Sequence, residues 1–186
     1  MRHITTCVGI GLREVYLLNL PEVHSAHTVL GARSVSARFG TAPSIWNWLL
    51  SSMANTVDPS TLRNQESMTK LASFSWPITR FVDRFVGEAV AMRVDIDFNE
   101  GKSASGIYVH SALPQSIGTC VSAFAQCLLN DESQPGVWYP EEKEAMVNRK
   151  RFLEDAAEGC QRLVLNRPGW QLESDPQRVA LGIYVN

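Results

Sequence analysis

The chain has 186 residues, a length that suits one domain with one substantial hydrophobic core. Hydrophobic residues make up 45% and charged residues 19%, a balance that is ordinary for a folded protein and excludes general disorder. A net charge of −2 argues against a basic domain that neutralises nucleic-acid phosphates. No apolar run approaches the ~18 residues of a membrane-spanning helix, so we expect no membrane span.

The cysteines and the N-terminal residues indicate a reducing, intracellular compartment. Cys7, Cys120, Cys127 and Cys160 form no C-x-x-C pair, and a chain of this size does not need disulfides to fold. We therefore expect buried, reduced thiols. The apolar stretch 8–12 is too short and too rich in glycine for the core of a secretory signal peptide.

Apolar spacing predicts the elements of the first half of the chain. In order, they are a strand at 13–19 buried on both faces, a helix at 22–30 ending at Gly31, a half-buried strand at 33–39, and a helix from Ile45. The polar stretch 55–65 contains Pro59 and predicts a loop. Pro77 predicts a boundary between two helices: one runs from about Glu66 and ends before it, and the next ends at Gly87.

Residues 89–98 show the clearest strand pattern, because apolar and polar residues alternate along them. A turn at 99–102 and a return strand at 103–110 complete a predicted hairpin. An even-length turn pairs residues whose numbers sum to 201. This register sets Met92 opposite Val109, and Val94 opposite Ile107, on a core face. It sets Arg93 opposite Tyr108, and Ala91 opposite His110, on the second face.

The remaining residues predict two more helices and two strands. They are a helix from Pro114, a helix from Pro140 to about Glu158 that stops at Gly159, and strands at 162–166 and 179–185. Helices together with a hairpin favour an α+β fold, in which helices cover a mixed, largely antiparallel sheet.

Three short motifs do not support the sites that they suggest. Gly9-Ile10-Gly11 lacks the third glycine of a dinucleotide-binding turn, since Glu14 occupies that position. His24 and His27 have a spacing that could hold zinc, but no further ligands lie nearby in the sequence, so a solvated helix face is favoured. The adjacent Glu141 and Glu142 fit compensation of a helix dipole better than acid–base catalysis.

The second face of the predicted hairpin is the strongest candidate site. Arg93, Tyr108 and His110 would gather there, and Arg38 could join them from its own strand. Because arginine presents a planar pair of donors to a carboxylate, this group predicts an anion or carboxylate pocket. An ordinary solvated sheet face is the alternative.

Four segments in order give the chain a resemblance to a known family. They are LNLPEV at 18–23, SARFGTAP at 36–43, MRVD at 92–95 and PGVWYPEE at 135–142. With the ending LGIYV at 181–185, they resemble the C-terminal half of saccharopine dehydrogenase-like oxidoreductases, in the branch of cyanobacteria and plant plastids. The resemblance covers about residues 13–185.

The resemblance implies a single α+β substrate and dimerisation domain over residues 1–186, without the N-terminal Rossmann domain that binds NAD(P) in that family. We therefore expect this chain to hold no cofactor or metal by itself and to be a truncated product, a fragment or a separate domain. It implies chemistry at a C–N bond of an amino-acid-like substrate, with no catalytic residue assigned. The expected substrate-binding residues are Arg38, Arg93, Tyr108, His110 and Trp138.

Two functions remain open on this evidence. The chain is either the substrate and dimerisation half of an NAD(P)-dependent oxidoreductase, or a non-catalytic association module that keeps the fold without the chemistry. In both cases we expect a homodimer, and a separate Rossmann domain or protein complex is a further possible partner. The expected location is the cytoplasm or, by the resemblance alone, the plastid stroma.

Overall fold

The structure, a computed structural model, describes residues 15–168 and has an α+β fold. Its elements are β1 (Tyr16–Leu18), α1 (Pro21–Leu30), β2 (Ala37–Phe39), α2 (Ile45–Thr56), α3 (Pro59–Arg63), α4 (Gln65–Val86), β3 (Val90–Asp97), β4 (Ser103–His110), α5 (Leu113–Leu129), α6 (Arg149–Ala156) and β5 (Arg162–Arg167). The described strands form two separate antiparallel sheets in place of the single mixed sheet expected from the sequence. One pairs β1 with β2, and the other has the order β3-β4-β5.

Most helices begin and end at residues suited to those positions. Pro21 opens α1, and Gly31 closes it with a left-handed φ of 63°. The side chains of Asn64 and Asn148 cap α4 and α6, where each accepts a hydrogen bond from a backbone N–H of the first turn. These ends satisfy backbone groups that have no partner inside the helix.

The predicted loop at 55–65 is wrong, because α3 forms within it. Pro59 occupies the first turn of α3, where its missing N–H is not needed. Asp58 caps the same turn by accepting hydrogen bonds from the backbone and the hydroxyl of Ser60. These hydrogen bonds, led by that of the hydroxyl, lower the pKa of the Asp58 carboxyl.

The predicted helix boundary at Pro77 is also wrong, because α4 runs through this proline. A proline inside a helix removes one backbone hydrogen bond. The hydroxyls of Ser75 and Thr79 donate to the carbonyls of Ala72 and Trp76, at 3.1 and 2.8 Å, and so add hydrogen bonds beside the gap. The helix continues through Pro77 to its predicted end at Gly87.

No α-helix starts at Pro140, contrary to the sequence prediction. Residues 143–145 form one 3-10 turn, and α6 begins only after Asn148. The N–H of Gln134 donates to the carbonyl of Glu144, and that of Val147 donates to Glu132. These bonds use the Glu144 carbonyl within the 3-10 turn and the Val147 N–H just after it, groups that a continuous helix would pair internally.

The buried apolar residues form two small clusters. Ile107 and Val109 of β4 pack with Ala91 and Val164 from the neighbouring strands. The second cluster joins α5 to α6 and contains Ala123, Cys127, Met146 and Phe152. Outside these clusters many large apolar side chains are exposed.

β1 differs from the prediction of a strand buried on both faces, because its Leu17 and Leu18 are exposed. The Gly9-Ile10-Gly11 motif, Cys7 and the predicted strand at 179–185 lie outside the described residues. Across 15–168, no helix combines the length and the apolar character that crossing a membrane requires.

Candidate functional site

The β3–β4 hairpin forms where the sequence predicts it, but in a different register. Met92 pairs with Tyr108, Arg93 with Ile107 and Val94 with Gly106, so paired residue numbers sum to 200. The predicted sum of 201 is wrong. A shift of one residue moves every side chain of one strand to the opposite face relative to its partner.

The turn explains the shift. Phe98 donates its N–H to the carbonyl of Lys102 at 2.8 Å, which adds one more pair to the ladder and leaves a loop of three residues, 99–101. Gly101 has a φ of 72°, the left-handed conformation that closes three-residue hairpin loops. An odd loop length then fixes the observed register.

The new register separates Arg93 from Tyr108 and His110, so the predicted grouping of the three on one face is wrong. Arg93 lies on the face that carries the buried Ile107, and only 15% of its side chain is exposed. Its Nε donates to both carboxylate oxygens of Asp95 at 2.9 Å. Asp95 also accepts a hydrogen bond of 2.6 Å from the hydroxyl of Ser105. The guanidinium is thus engaged by a carboxylate of its own strand.

Tyr108 and His110 do share a face, and their rings stack with centroids 6.4 Å apart. The Tyr108 hydroxyl is hydrogen-bonded at 2.8 Å to that of the buried Ser116 in α5. His110 is only 3% exposed, and its Nδ1 accepts the N–H of Ala112 at 3.0 Å. The beginning of α5 therefore covers this end of the sheet.

The other two predicted site residues lie elsewhere in the chain. Arg38 is exposed on β2, in the separate two-stranded sheet, and its Nη1 donates to Ser36 at 3.4 Å. Trp138 follows α5 and donates its ring N–H to the carbonyl of Gln134 at 3.1 Å. A side chain at Gly136 would lie 2.8 Å from the Trp138 ring, so this position needs glycine. Among the described residues, no hydrogen bond, ion pair or ring contact joins Arg38 or Trp138 to the hairpin.

Glu141 has a different role from the predicted compensation of a helix dipole. Its Oε1 accepts a hydrogen bond of 2.8 Å from Ser25 of α1, which is 5% exposed. The second oxygen, Oε2, is buried and has no hydrogen-bond partner among the described residues. This carboxylate links α1 to the segment between α5 and α6.

The side of β3 that carries Met92, Val94, Ile96 and Phe98 is open to solvent. These four side chains are 49 to 59% exposed, and we call them the open face. The alternation in the sequence correctly predicts that these apolar side chains share one face of the strand. The prediction that this face belongs to the core is wrong. Ala104 and Gly106 lie opposite Ile96 and Val94 on β4, and Tyr108 lies opposite Met92, so small residues border the open face except at its Met92 end.

A second apolar surface runs along α4. Its members are large, exposed and spaced three and four residues apart, and we call them the α4 stripe: Leu71, Phe74, Ile78, Phe81 and Phe85. Side chains with this spacing lie on one side of a helix. The same spacing can be read in the sequence, although the predicted boundary at Pro77 concealed it. Phe81 and Phe85 already contact each other, with ring centroids 4.8 Å apart.

The described residues offer little for metal or thiol chemistry. No three His, Cys, Asp or Glu side chains within 15–168 lie close enough to hold a metal ion. Cys120, Cys127 and Cys160 are free thiols, and only Cys127 is fully buried. Burial raises the pKa of the Cys127 thiol, and the negative charges of Glu132 and Asp155 raise it further.

Comparisons with known proteins provide no family for the chain. No family model matches it, and searches of the curated proteins and of the solved structures returned no significant match.

Proposed function

We propose that this chain is an association module that pairs with a second copy of itself through the open face of β3. The observation that carries the proposal is the exposure of Met92, Val94, Ile96 and Phe98 side by side on one strand. Contiguous apolar surface of this kind is characteristic of an interface, because folded chains rarely leave it in water. Removing it from water stabilises an assembly by roughly 25 cal/mol per Å².

Arg93 and Asp95 do not compete with this use of the open face, whereas Tyr108 and His110 lie on its side of the sheet at the Met92 end, where α5 contacts Tyr108. Arg93 and Asp95 pair with each other on the opposite side of the sheet. A charged group at the centre of the open face would oppose burial, since its desolvation is unfavourable. The proposed function agrees with the dimerisation role that the resemblance to saccharopine dehydrogenase-like proteins implies.

Sedimentation velocity of the full chain over a range of concentrations tests the proposal. We expect the wild-type chain to dimerise and Val94→Glu to shift it to monomer, because the variant places a charge in the interface. Val137→Glu is the matched control: Val137 is 99% exposed and lies outside the open face, so dimerisation should persist. A wild-type chain that stays monomeric at high concentration would contradict the proposed function.

The second candidate is the substrate half of an NAD(P)-dependent oxidoreductase, with the dinucleotide-binding domain supplied separately. The observation in its favour is the group formed by Tyr108, Ser116 and His110, which places two hydroxyls beside an imidazole. Glutamate is a suitable probe of an amino-acid carboxylate. Under this candidate, glutamate shifts the NMR signals of the Tyr108 and His110 rings, and Tyr108→Phe weakens the response. Unchanged signals at high glutamate would exclude this role for the group.

A further inference from the structure

We propose that the open face of β3 is covered by the α4 stripe of the second copy, and that the two copies exchange these surfaces reciprocally. The inference rests on the proposed function and names the structural element that occupies the open face. Each copy would then contribute one sheet surface and one helix surface to the dimer.

The two surfaces have the same length. The α4 stripe extends from Leu71 to Phe85, which corresponds to about 21 Å along a helix that rises 1.5 Å per residue. The open face extends from Met92 to Phe98, or about 20 Å along a strand that rises roughly 3.3 Å per residue. A helix laid along β3 could therefore place apolar side chains over the whole open face.

The two surfaces are also compatible in chemistry. A helix that packs its apolar side on a sheet is one of the standard two-layer arrangements. Another side of α4 carries Arg80, whose guanidinium lies 5.7 Å from the Trp76 ring centroid, and Lys70, which pairs with Glu66, flanks the stripe next to Phe74 with an exposed side chain. These groups can stay in water while the stripe is buried, and the small residues Ala104 and Gly106 on β4 leave room beside the Val94 and Ile96 part of the open face.

Within one chain, neither surface covers the other. Only residues 87–89 separate α4 from β3, and Gly87, with a φ of 83°, ends the helix. Among the described elements, α4 has extensive contact only with α3. Because both surfaces are exposed in the same chain, a second copy can supply the missing partner of each.

Reciprocal exchange gives an interface of sufficient size. Each copy contributes nine large apolar side chains, five from the α4 stripe and four from the open face. At roughly 90 Å² of exposed surface each, the two copies together bury about 1,600 Å², the usual area of a stable protein–protein interface. In a two-fold arrangement, the α4 stripe of each copy covers the open face of the other. Neither surface is then left free to bind a third copy, so the assembly closes as a dimer.

Cross-linking between two variants that each gain one cysteine tests the exchange. Ile78→Cys and Val94→Cys each replace an exposed residue, so the monomer fold should tolerate both. After the two variants are mixed and treated with a short bismaleimide, we expect a covalent dimer that contains one chain of each. Val137→Cys mixed with Ile78→Cys is the matched control, and the unsubstituted chain measures linkage through its own cysteines.

The possible outcomes separate this inference from the proposed function. If Val94→Cys chains cross-link to each other and no mixed product forms, the proposed exchange is wrong, but the proposed self-association still holds. A double variant that links within one monomeric chain shows that α4 covers β3 of its own chain, and also overturns the exchange. A chain that never dimerises contradicts both proposals.

A charge placed in the stripe gives an independent measurement. Phe81→Glu should shift the wild-type dimer to monomer, whereas Ser73→Glu, an exposed position outside the stripe, should leave it unchanged. If both variants dimerise as the wild-type chain does, α4 takes no part in the interface and the inference is wrong.

Discussion

Arg93 lies directly opposite Ile107 across the β3–β4 ladder, beside the cluster of buried apolar residues. This relationship changes the expected role of the arginine. Its guanidinium meets Asp95 on the same strand, and the hydroxyl of Ser105 completes the group from β4. The three side chains form a polar edge to the small core of the sheet.

Replacing Arg93 should therefore affect stability more than an exposed charge does. We expect Arg93→Ala to lower the free energy of unfolding by about 1 kcal/mol, because the variant loses the aliphatic stem that packs on the sheet and a charge-assisted hydrogen bond. Urea denaturation measures the effect. The matched control is Lys102→Ala: Lys102 pairs with Glu100, and both side chains are more than 75% exposed, so the change should be near zero. Equal effects in the two variants would contradict this role of Arg93.

The hairpin loop should depend on the glycine that closes it. Gly101 has a φ of 72°, and no heavy atom lies within 4 Å of a Cβ built at this position. We expect Gly101→Ala to lower the free energy of unfolding by about 1 kcal/mol through backbone strain alone. Gly101→Asn should lose less, since asparagine adopts left-handed conformations more readily. If alanine and asparagine prove equally tolerated, the loop does not require a left-handed residue.

The hairpin shows which features of this fold the sequence determines. The bounds of β3 and β4 follow from alternation and from the polar residues between them, so both strands were predicted closely. Their register depends on whether Phe98 and Lys102 pair. The alternation favoured a four-residue loop, because that loop sets apolar residues of the two strands opposite each other, but the Phe98–Lys102 pair leaves three loop residues. The candidate site depended on that register, so its grouping failed although its residues lie on the predicted strands.

Long-range contacts limited the other predictions in the same way. The helices α1 and α5 have a proline in the first turn, and Gly31 caps the end of α1, signals that are local and therefore readable. The irregular segment after α5 is held by contacts between residues that are distant in sequence. One example is Gln134 with Glu144, and another is Ser25 with Glu141. No local pattern encodes such pairs.

The loop before α2 should depend on Asn47, which is 4% exposed. Its Oδ1 accepts hydrogen bonds from the backbone N–H and the hydroxyl of Thr41, and its Nδ2 donates to the Thr41 carbonyl, at 2.8 to 3.1 Å. We expect Asn47→Ala to lower the free energy of unfolding by about 2 kcal/mol, because the N–H and carbonyl of the half-buried Thr41 lose their partners. Thermal and urea denaturation measure the loss.

Asn55 provides the control for Asn47 on the same helix. Its Nδ2 donates to the Ser51 carbonyl at 2.7 Å, but the side chain is exposed, so water can replace the bond. We expect Asn55→Ala to change stability by less than about 0.5 kcal/mol. A loss at Asn47 no larger than that at Asn55 would show that the Thr41 contacts do not hold the loop.

The buried Cys127 should make stability depend on pH in the alkaline range. Its pKa lies above the ordinary 9.0, first because burial disfavours the thiolate and then because Glu132 and Asp155 are negatively charged. In the unfolded chain the thiol therefore ionises at a lower pH than in the folded chain. Above that pH the folded state binds more protons than the unfolded state, so the free energy of unfolding must fall as pH rises.

The contribution of Cys127 is thus fully present below about pH 9 and is lost progressively above it, up to the raised pKa of the folded state. Cys127→Ala removes the titrating group with a modest change of volume. We expect the stability difference between the wild-type chain and this variant to be constant at neutral pH and to shrink as pH increases beyond 9. Urea denaturation at several pH values measures it, and Cys160→Ala, at a more accessible thiol, serves as the control. A difference that stays constant through the alkaline range would mean that Cys127 ionises alike in the folded and unfolded states, and that its burial has no effect on the thiol.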